Sequence, residues 1–168
     1  MRILGIDPGL ATVGIGIVDV RSSHDMTAVE WMTITTPAGM RSEERLGEIF
    51  RDLTKLIQEV KPDLAVVEKL FFATNKRTAM DVAQARGVIL LSLTEAAIPL
   101  LEPTPLQLKS CIAGYGAAPK DQVLDMIVRT LKLTTIPTPD DAADALGLAL
   151  YGALNHRLAA LVDGRKTW

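Results

Sequence analysis

Asp7, Glu68, Asp141 and Asp144 stand where ionised carboxylates are expensive to keep. Asp7 closes the apolar run Leu4-Gly5-Ile6, and Glu68 closes Leu64–Val67. Asp141 and Asp144 open a helical stretch that carries no further charged residue until Arg157. An ionised carboxylate buried without a partner is destabilising by several kcal/mol. Lys69 is the one base close to any of the four in sequence. A divalent cation would resolve the imbalance, and hard oxygen donors suit Mg²⁺ or Mn²⁺. Two such ions held by four carboxylates stabilise the attacking and leaving oxygens of an in-line displacement at phosphorus. They also acidify a bound water, so no histidine base is needed. His24 and His156 lie outside the pattern, and a single cysteine, Cys111, argues against zinc.

Each acid has a plainer explanation. Thr138-Pro139-Asp140-Asp141 reads as a capped helix start, with Thr138 at the N-cap, Pro139 at the first helical position and Asp141 in a capping box. Asp7 fits a turn before Pro8-Gly9. Asp144 lies beyond the first turn between alanines, where capping does not account for it. Asp141 and Asp144 are three residues apart and leave the helix on one face. The coincidence of four favours the metal reading.

For the acids to meet, the strands ending in Asp7 and Glu68 must be neighbours, with the helix start of Asp141 beside them. Arg2–Asp7, Thr12–Val20 and Thr27–Thr35 read as strands, the first two joined by the short Gly9-Leu10-Ala11 as an antiparallel hairpin. In the second, Val13, Ile15 and Ile17 share one face and Gly14 and Gly16 the other. Leu46, Ile49, Phe50, Leu53, Leu56, Ile57 and Val60 form the stripe of a first helix. Pro62-Asp63 ends it, and Leu64–Val67 follows as a fully buried strand. Helices are expected at Asn75–Ala96, Pro105–Ile112, Lys120–Leu131 and Thr138–His156, and a further strand at Ile98–Leu101. Three meandering strands followed by alternating helices and strands make a mixed α/β sheet covered by helices.

The chain has 168 residues, 48% hydrophobic and 23% charged, and reads as one domain spanning 1–168 with its last few residues a candidate flexible tail. Composition excludes a fibrous, disulfide-built or disordered protein. The apolar runs fall short of the roughly 18 residues a membrane span needs. A lone Cys111 and no signal-like opening fit a cytoplasmic location. The net charge of −2 hides an asymmetry. The segment 69–120 carries six bases and three acids, and the rest of the chain is net negative. A basic middle is either a solvated helix face or an anion-binding surface.

On the second reading, Lys76, Arg77, Lys109 and Lys120 are phosphate partners, with Asn75 beside the first two. Gly114 and Gly116 would let main-chain amides approach a phosphate. Phe71 and Phe72 cannot both face the core of an extended segment; one stacks on an unpaired base, or covers a neighbouring loop. Ala79, Ala83 and Gly87 make a small-residue stripe that permits close helix contact, within the monomer or across a two-fold axis.

Gly5-Ile6-Asp7-Pro8-Gly9, Glu68-Lys69-Leu70-Phe71, Gln84-Ala85-Arg86-Gly87, Lys109…Gly114-Tyr115-Gly116…Lys120 and Asp141-Ala142-Ala143-Asp144-Ala145-Leu146 occur in order. Together they resemble the RuvC crossover-junction endodeoxyribonucleases, the bacterial Holliday junction resolvases, over nearly the whole chain. The resemblance implies a ribonuclease H-like fold, a mixed five-stranded sheet flanked by helices. It implies a homodimer that nicks four-way DNA junctions in pairs with Mg²⁺, two ions per subunit, leaving 5′-phosphate and 3′-hydroxyl ends. By motif position Asp7, Glu68, Asp141 and Asp144 are catalytic, Phe71 is the stacking aromatic, and Lys109 and Lys120 contact DNA. A branch-migration motor is the implied partner. The acidic pI and Pro119 before Lys120 depart from the family pattern. Two other classes stay open: a module that holds branched DNA without cutting it, and one lobe of an actin-like phosphotransferase.

Overall fold

Two β-strands that share a short turn set the frame. β1 (Arg2–Asp7) and β2 (Thr12–Ser22) pair antiparallel with Ile3 opposite Val18 and Asp7 opposite Gly14, as the hairpin reading requires. The structure, a computed structural model, describes residues 1–22, 25–69 and 76–163, the side chains of 76–78 and 157–163 excepted. β3 (Asp25–Thr35) extends the meander on the far side of β2. α1 (Ser42–Val60) then crosses over to β4 (Leu64–Val67), which lies parallel to β1. α2 (Lys76–Glu95) leads to β5 (Leu100–Leu101), parallel to β4, so the five-stranded mixed sheet has the order β3-β2-β1-β4-β5. α3 (Pro105–Ala113), α4 (Lys120–Thr130) and α5 (Asp140–Asp163) complete the chain.

The sheet is covered on both faces, each with its own core. Leu4, Ile6, Val13, Ile15 and Ile17 pack against Ile49, Leu53 and Ile57 of α1 and Ala85, Ile89 and Leu93 of α2. On the other face Ile3, Val18, Leu64 and Val66 meet Leu146, Ala149 and Ala153 of α5, with Ile112 and Ile127 from α3 and α4. Alternation along each strand sorts these sets. β1 and β4 are buried on both faces, which is why Leu64–Val67 reads as an unbroken apolar run.

Glycines set the distance between α5 and the sheet. A Cβ on Gly5 would overlap the main chain of Ala145 and Ala149; one on Gly14 would overlap Asp141, and one on Gly16 would overlap Leu146. The bare stripe across β1 and β2 therefore brings the α5 backbone directly onto the strands. The small Ala142, Ala143 and Ala145, all buried, match it from the helix side.

Several boundaries differ from the sequence reading, β2 reaching Ser22 and β3 starting at Asp25 among them, and those of β5 and α5 bear on the site. β5 is shorter than Ile98–Leu101, because the Ile98 amide donates to Leu93 O at the end of α2 and Pro99 has no N–H to give. α5 begins at Asp140, with Pro139 O accepting from Ala142 and Ala143, so Thr138 lies outside the helix and does not cap it. α5 also runs past His156 to Asp163. The expected tail, 164–168, lies outside the described residues. Among the described residues no helix is long and apolar enough to cross a membrane.

Candidate active site

Because β1 and β4 are parallel neighbours, their C-terminal ends deliver Asp7 and Glu68 to the same edge of the sheet. Asp7 shares the face of Ile3 and Gly5, the face on which α5 lies. The glycine stripe lets the first turn of α5 settle over that edge, which brings Asp141 and Asp144 in. Asp7, Glu68 and Asp144 line one cavity of about 210 Å³ together with Lys109 of α3 and Lys120 of α4. Asp141 lines an adjoining groove, alongside the Pro8–Thr12 turn. The four predicted carboxylates thus gather at one place, Asp141 on its far flank.

Their mutual repulsion is visible in their protonation. Burial and the nearby Asp144, Glu68 and Asp141 push the Asp7 carboxyl up to about 7, against a smaller opposing pull from Lys120. Burial and Asp144 also raise Glu68, and Lys109 opposes the shift. Such a cluster lacks positive charge, and one cation from the chain already answers part of the need. Lys120 donates to Asp144 at 2.9 Å and to Asp140 at 3.3 Å, and these contacts raise its own pKa. Pro119 precedes it as the N-cap of α4 in extended backbone (φ −67°, ψ 156°), which starts the helix at Lys120. Among the described residues no three acids, imidazoles or thiols are already drawn into a closed ligand set.

The donor chemistry fits a hard divalent cation. All four candidate ligands offer carboxylate oxygens and the site faces an open cavity; the raised Asp7 carboxyl marks where added positive charge would be most stabilising.

Two further expected residues, Gly114 and Gly116, lie outside the lining of this cavity. Gly114 caps the C-terminus of α3 in the left-handed region (φ 88°), and its amide already donates to Ser110 O. A Cβ on Gly116 would press on the Leu106 side chain 2.6 Å away, so its smallness serves packing against α3. Phe71, Phe72 and Asn75 lie outside the described residues, as do the side chains of Lys76 and Arg77. In the stripe of Ala79, Ala83 and Gly87, Gly87 is exposed, and among the described residues nothing lies within 4 Å of an added Cβ.

Sequence reasoning missed two residues that hold the site. Arg86 of α2 donates through Nε to Glu68 O at 3.0 Å and pairs with Glu102. It is the single charge between Asp81 and Glu95 in an otherwise apolar helix, an isolation that marks a buried role. Arg45 of α1 donates through Nε to the Thr36 hydroxyl at 2.7 Å, and Thr36 in turn donates to Leu10 O at 2.6 Å. No local pattern announces that contact.

Comparison with known proteins agrees with this geometry. The family model "Crossover junction endodeoxyribonuclease RuvC" matches residues 3–152. The crossover junction endodeoxyribonuclease RuvC of Chloroflexus aurantiacus is 51% identical over 153 residues, covering 91% of this chain and 93% of the relative. That of Syntrophomonas wolfei is 44% identical over 167 residues, 99% of this chain and 96% of the relative. The solved structure of Thermus thermophilus RuvC with a Holliday junction substrate superposes with a TM-score of 0.87 at 32% identity, covering 94% of this chain and 96% of that one. With a family model spanning most of its length and relatives at this identity, the chain belongs to the RuvC family of crossover junction endodeoxyribonucleases, with their ribonuclease H-like fold.

Proposed function

We propose that this chain resolves four-way DNA junctions in recombination and repair, cutting two strands symmetrically to leave 5′-phosphate and 3′-hydroxyl ends. The observation that carries the reading is the convergence of Asp7, Glu68 and Asp144 in one cavity flanked by Lys109 and Lys120, with Asp141 adjoining. A module that only held DNA would gain nothing from buried carboxylates facing a polyanion. An actin-like phosphotransferase needs a second lobe around its nucleotide, and the family match favours the nuclease.

Mg²⁺, two ions per subunit with Mn²⁺ as substitute, is the cofactor this donor set suits, and Asp7, Glu68, Asp141 and Asp144 are its ligands. Such ions supply electrostatic stabilisation at phosphorus and an acidified water. The chain's own part is positioning. Asp7 and Glu68 are fixed by the paired ends of β1 and β4, and Asp141 and Asp144 by the rigid start of α5. Lys109 and Lys120 offer ammonium groups to the phosphates of the strand that enters the cavity. Phe71 is the candidate for stacking on an unpaired base at the crossover, with Phe72, Asn75, Lys76 and Arg77 beside it.

A homodimer suits a substrate with two-fold symmetry. It is supported by the face of α2 that carries exposed Met80, Gly87 and Leu91. Met80 is 66% and Leu91 52% exposed, and with Gly87 they share one face of the helix. The branch-migration motor is the further partner that the family implies.

The test is incubation of the purified protein with a synthetic four-way junction and Mg²⁺ or Mn²⁺. Two symmetric nicks, ligatable without further processing, are expected. Binding without cleavage across both metal titrations would leave the non-cutting module as the better account.

A further inference from the structure

The cavity containing Lys109 and Lys120 covers one flank of the carboxylates. On the other flank lies a groove of about 360 Å³, formed by the Pro8–Thr12 turn, Arg45 of α1, Asp81 and Val82 of α2, and Asp141 of α5. Asp7 borders the first space and Asp141 the second, so the acidic cluster sits between the two. Arg45 is the one basic side chain among the described residues that line this second groove.

The guanidinium is half-buried and held at one corner. Its Nε donates to the hydroxyl of buried Thr36, which donates onward to Leu10 O, while the Thr36 amide donates to Ala11 O. The turn following Asp7 is thereby tied to α1, and the Arg45 head cannot swing away without breaking the chain of hydrogen bonds. Among the described residues no carboxylate pairs with it. A half-buried cation tethered through Nε beside an open groove, and in no ion pair among the described residues, keeps donors for an anion, although Asp81 and Asp141 line the same groove. The planar fork suits the two free oxygens of a phosphodiester.

A DNA strand crossing the carboxylates must continue past them on both sides, and each phosphate that leaves the lysine flank brings a charge that needs a partner. We infer that Arg45 is the phosphate anchor on this second flank. Its terminal nitrogens receive a backbone phosphate of the strand being cut, while Nε keeps its bond to Thr36. The inference rests on the junction-nuclease reading, and it assigns Arg45 to binding, outside the reacting atoms.

The experiment measures junction binding by fluorescence anisotropy in Ca²⁺, over a salt series, for the wild type, Arg45→Gln and Thr36→Val. Wild-type binding comes first; if the wild type does not bind a four-way junction, the functional reading itself fails. Given binding, Arg45→Gln should raise Kd about tenfold. It should also flatten the log–log salt dependence by about one per bound protomer. Thr36→Val loses the Nε tether but keeps the charge, and should leave that slope unchanged. Junctions with a single neutral methylphosphonate then locate the partner. At one position the substitution should weaken the wild type about tenfold and leave Arg45→Gln unaffected. An unchanged salt slope in Arg45→Gln, or no position where the two losses fail to add, would overturn the assignment while leaving the nuclease reading intact.

Discussion

Arg86 on α2 donates its Nε hydrogen to the main-chain oxygen of Glu68, 3.0 Å away, at the point where β4 ends. The same guanidinium pairs with Glu102, just after β5, and the Lys69 amide donates to Pro103 O. The backbone carrying Glu68 is therefore clamped between α2 and the segment following β5. A carboxylate just past the end of a strand needs such a brace, because the strand's own ladder stops at Val67.

Replacing Arg86 with Met leaves Glu102 without its partner and frees the Glu68 backbone. The expected loss of stability is about 2–4 kcal/mol. Arg86→Met combined with Glu102→Met should recover most of it, since an apolar pair replaces a half-buried ion pair. Cleavage should stay down by about 100-fold in both, with junction affinity within a factor of two of wild type. Urea denaturation and single-turnover cleavage separate the two effects. Full cleavage by the stable double variant would show that the clamp is only structural.

Asp7 links charge to stability with a definite sign. Its folded pKa, about 7, lies above the ordinary 3.8, so between those values the folded state holds more protons than the unfolded chain. Stability from this group is full below the ordinary value and falls as pH rises through about 7. Asp7→Asn removes that dependence. In EDTA at pH 8 the variant should melt about 5 °C higher than wild type. Mg²⁺ should raise the wild-type melting temperature and leave the variant nearly unmoved. Cutting should be abolished while junction binding is kept or tightened. A variant that melts lower at pH 8 would make Asp7 a structural residue.

Lys120 occupies the space beside Asp144 with its own positive charge. Lys120→Met should have opposite effects on the two ligands of the site. Mn²⁺ affinity, followed by electron paramagnetic resonance, should rise about threefold because a competing cation is gone. Junction affinity should fall about fivefold through the loss of a phosphate partner. Folding stability should change by less than about 1 kcal/mol, since the lysine is exposed. A parallel fall in both affinities would mean that the lysine orders the site instead of competing within it.

Two glycines should respond oppositely to the same chemical change. Gly5→Ala places a methyl group inside the main chain of α5 and should cost about 3 kcal/mol or more, with loss of cleavage as the helix is displaced from Asp7. Gly87→Ala meets open space on the exposed face of α2 and should stabilise the monomer by up to about 1 kcal/mol. Gly87→Glu should fold equally well but convert a dimer to a monomer in light scattering. A monomeric wild type with full activity would remove the dimer.

The apolar runs of β1, β2 and β4 and the three-and-four spacing of α1 fix element types locally, because burial on one or both faces leaves a period in the residues themselves. The same logic exposes Asp7, Glu68 and Asp144, as charges at the ends of segments that should carry none. Helix ends were less legible. Ile98 and Pro99 looked like strand, and only the bond from Ile98 to Leu93 O assigns them to the close of α2. Thr138 does not cap α5, because the helix starts at Asp140 with Pro139 O accepting its first amides, where Gly14 and Gly16 let it approach the strands. Tertiary structure alone decided that Lys120 would answer Asp144, Arg86 would brace Glu68 and Arg45 would face the second groove. These contacts join residues from 18 to 24 positions apart, or elements meeting around a groove. Charge pairing at such separations depends on which strands are neighbours and how closely a helix can approach them, and a one-dimensional pattern carries no trace of either.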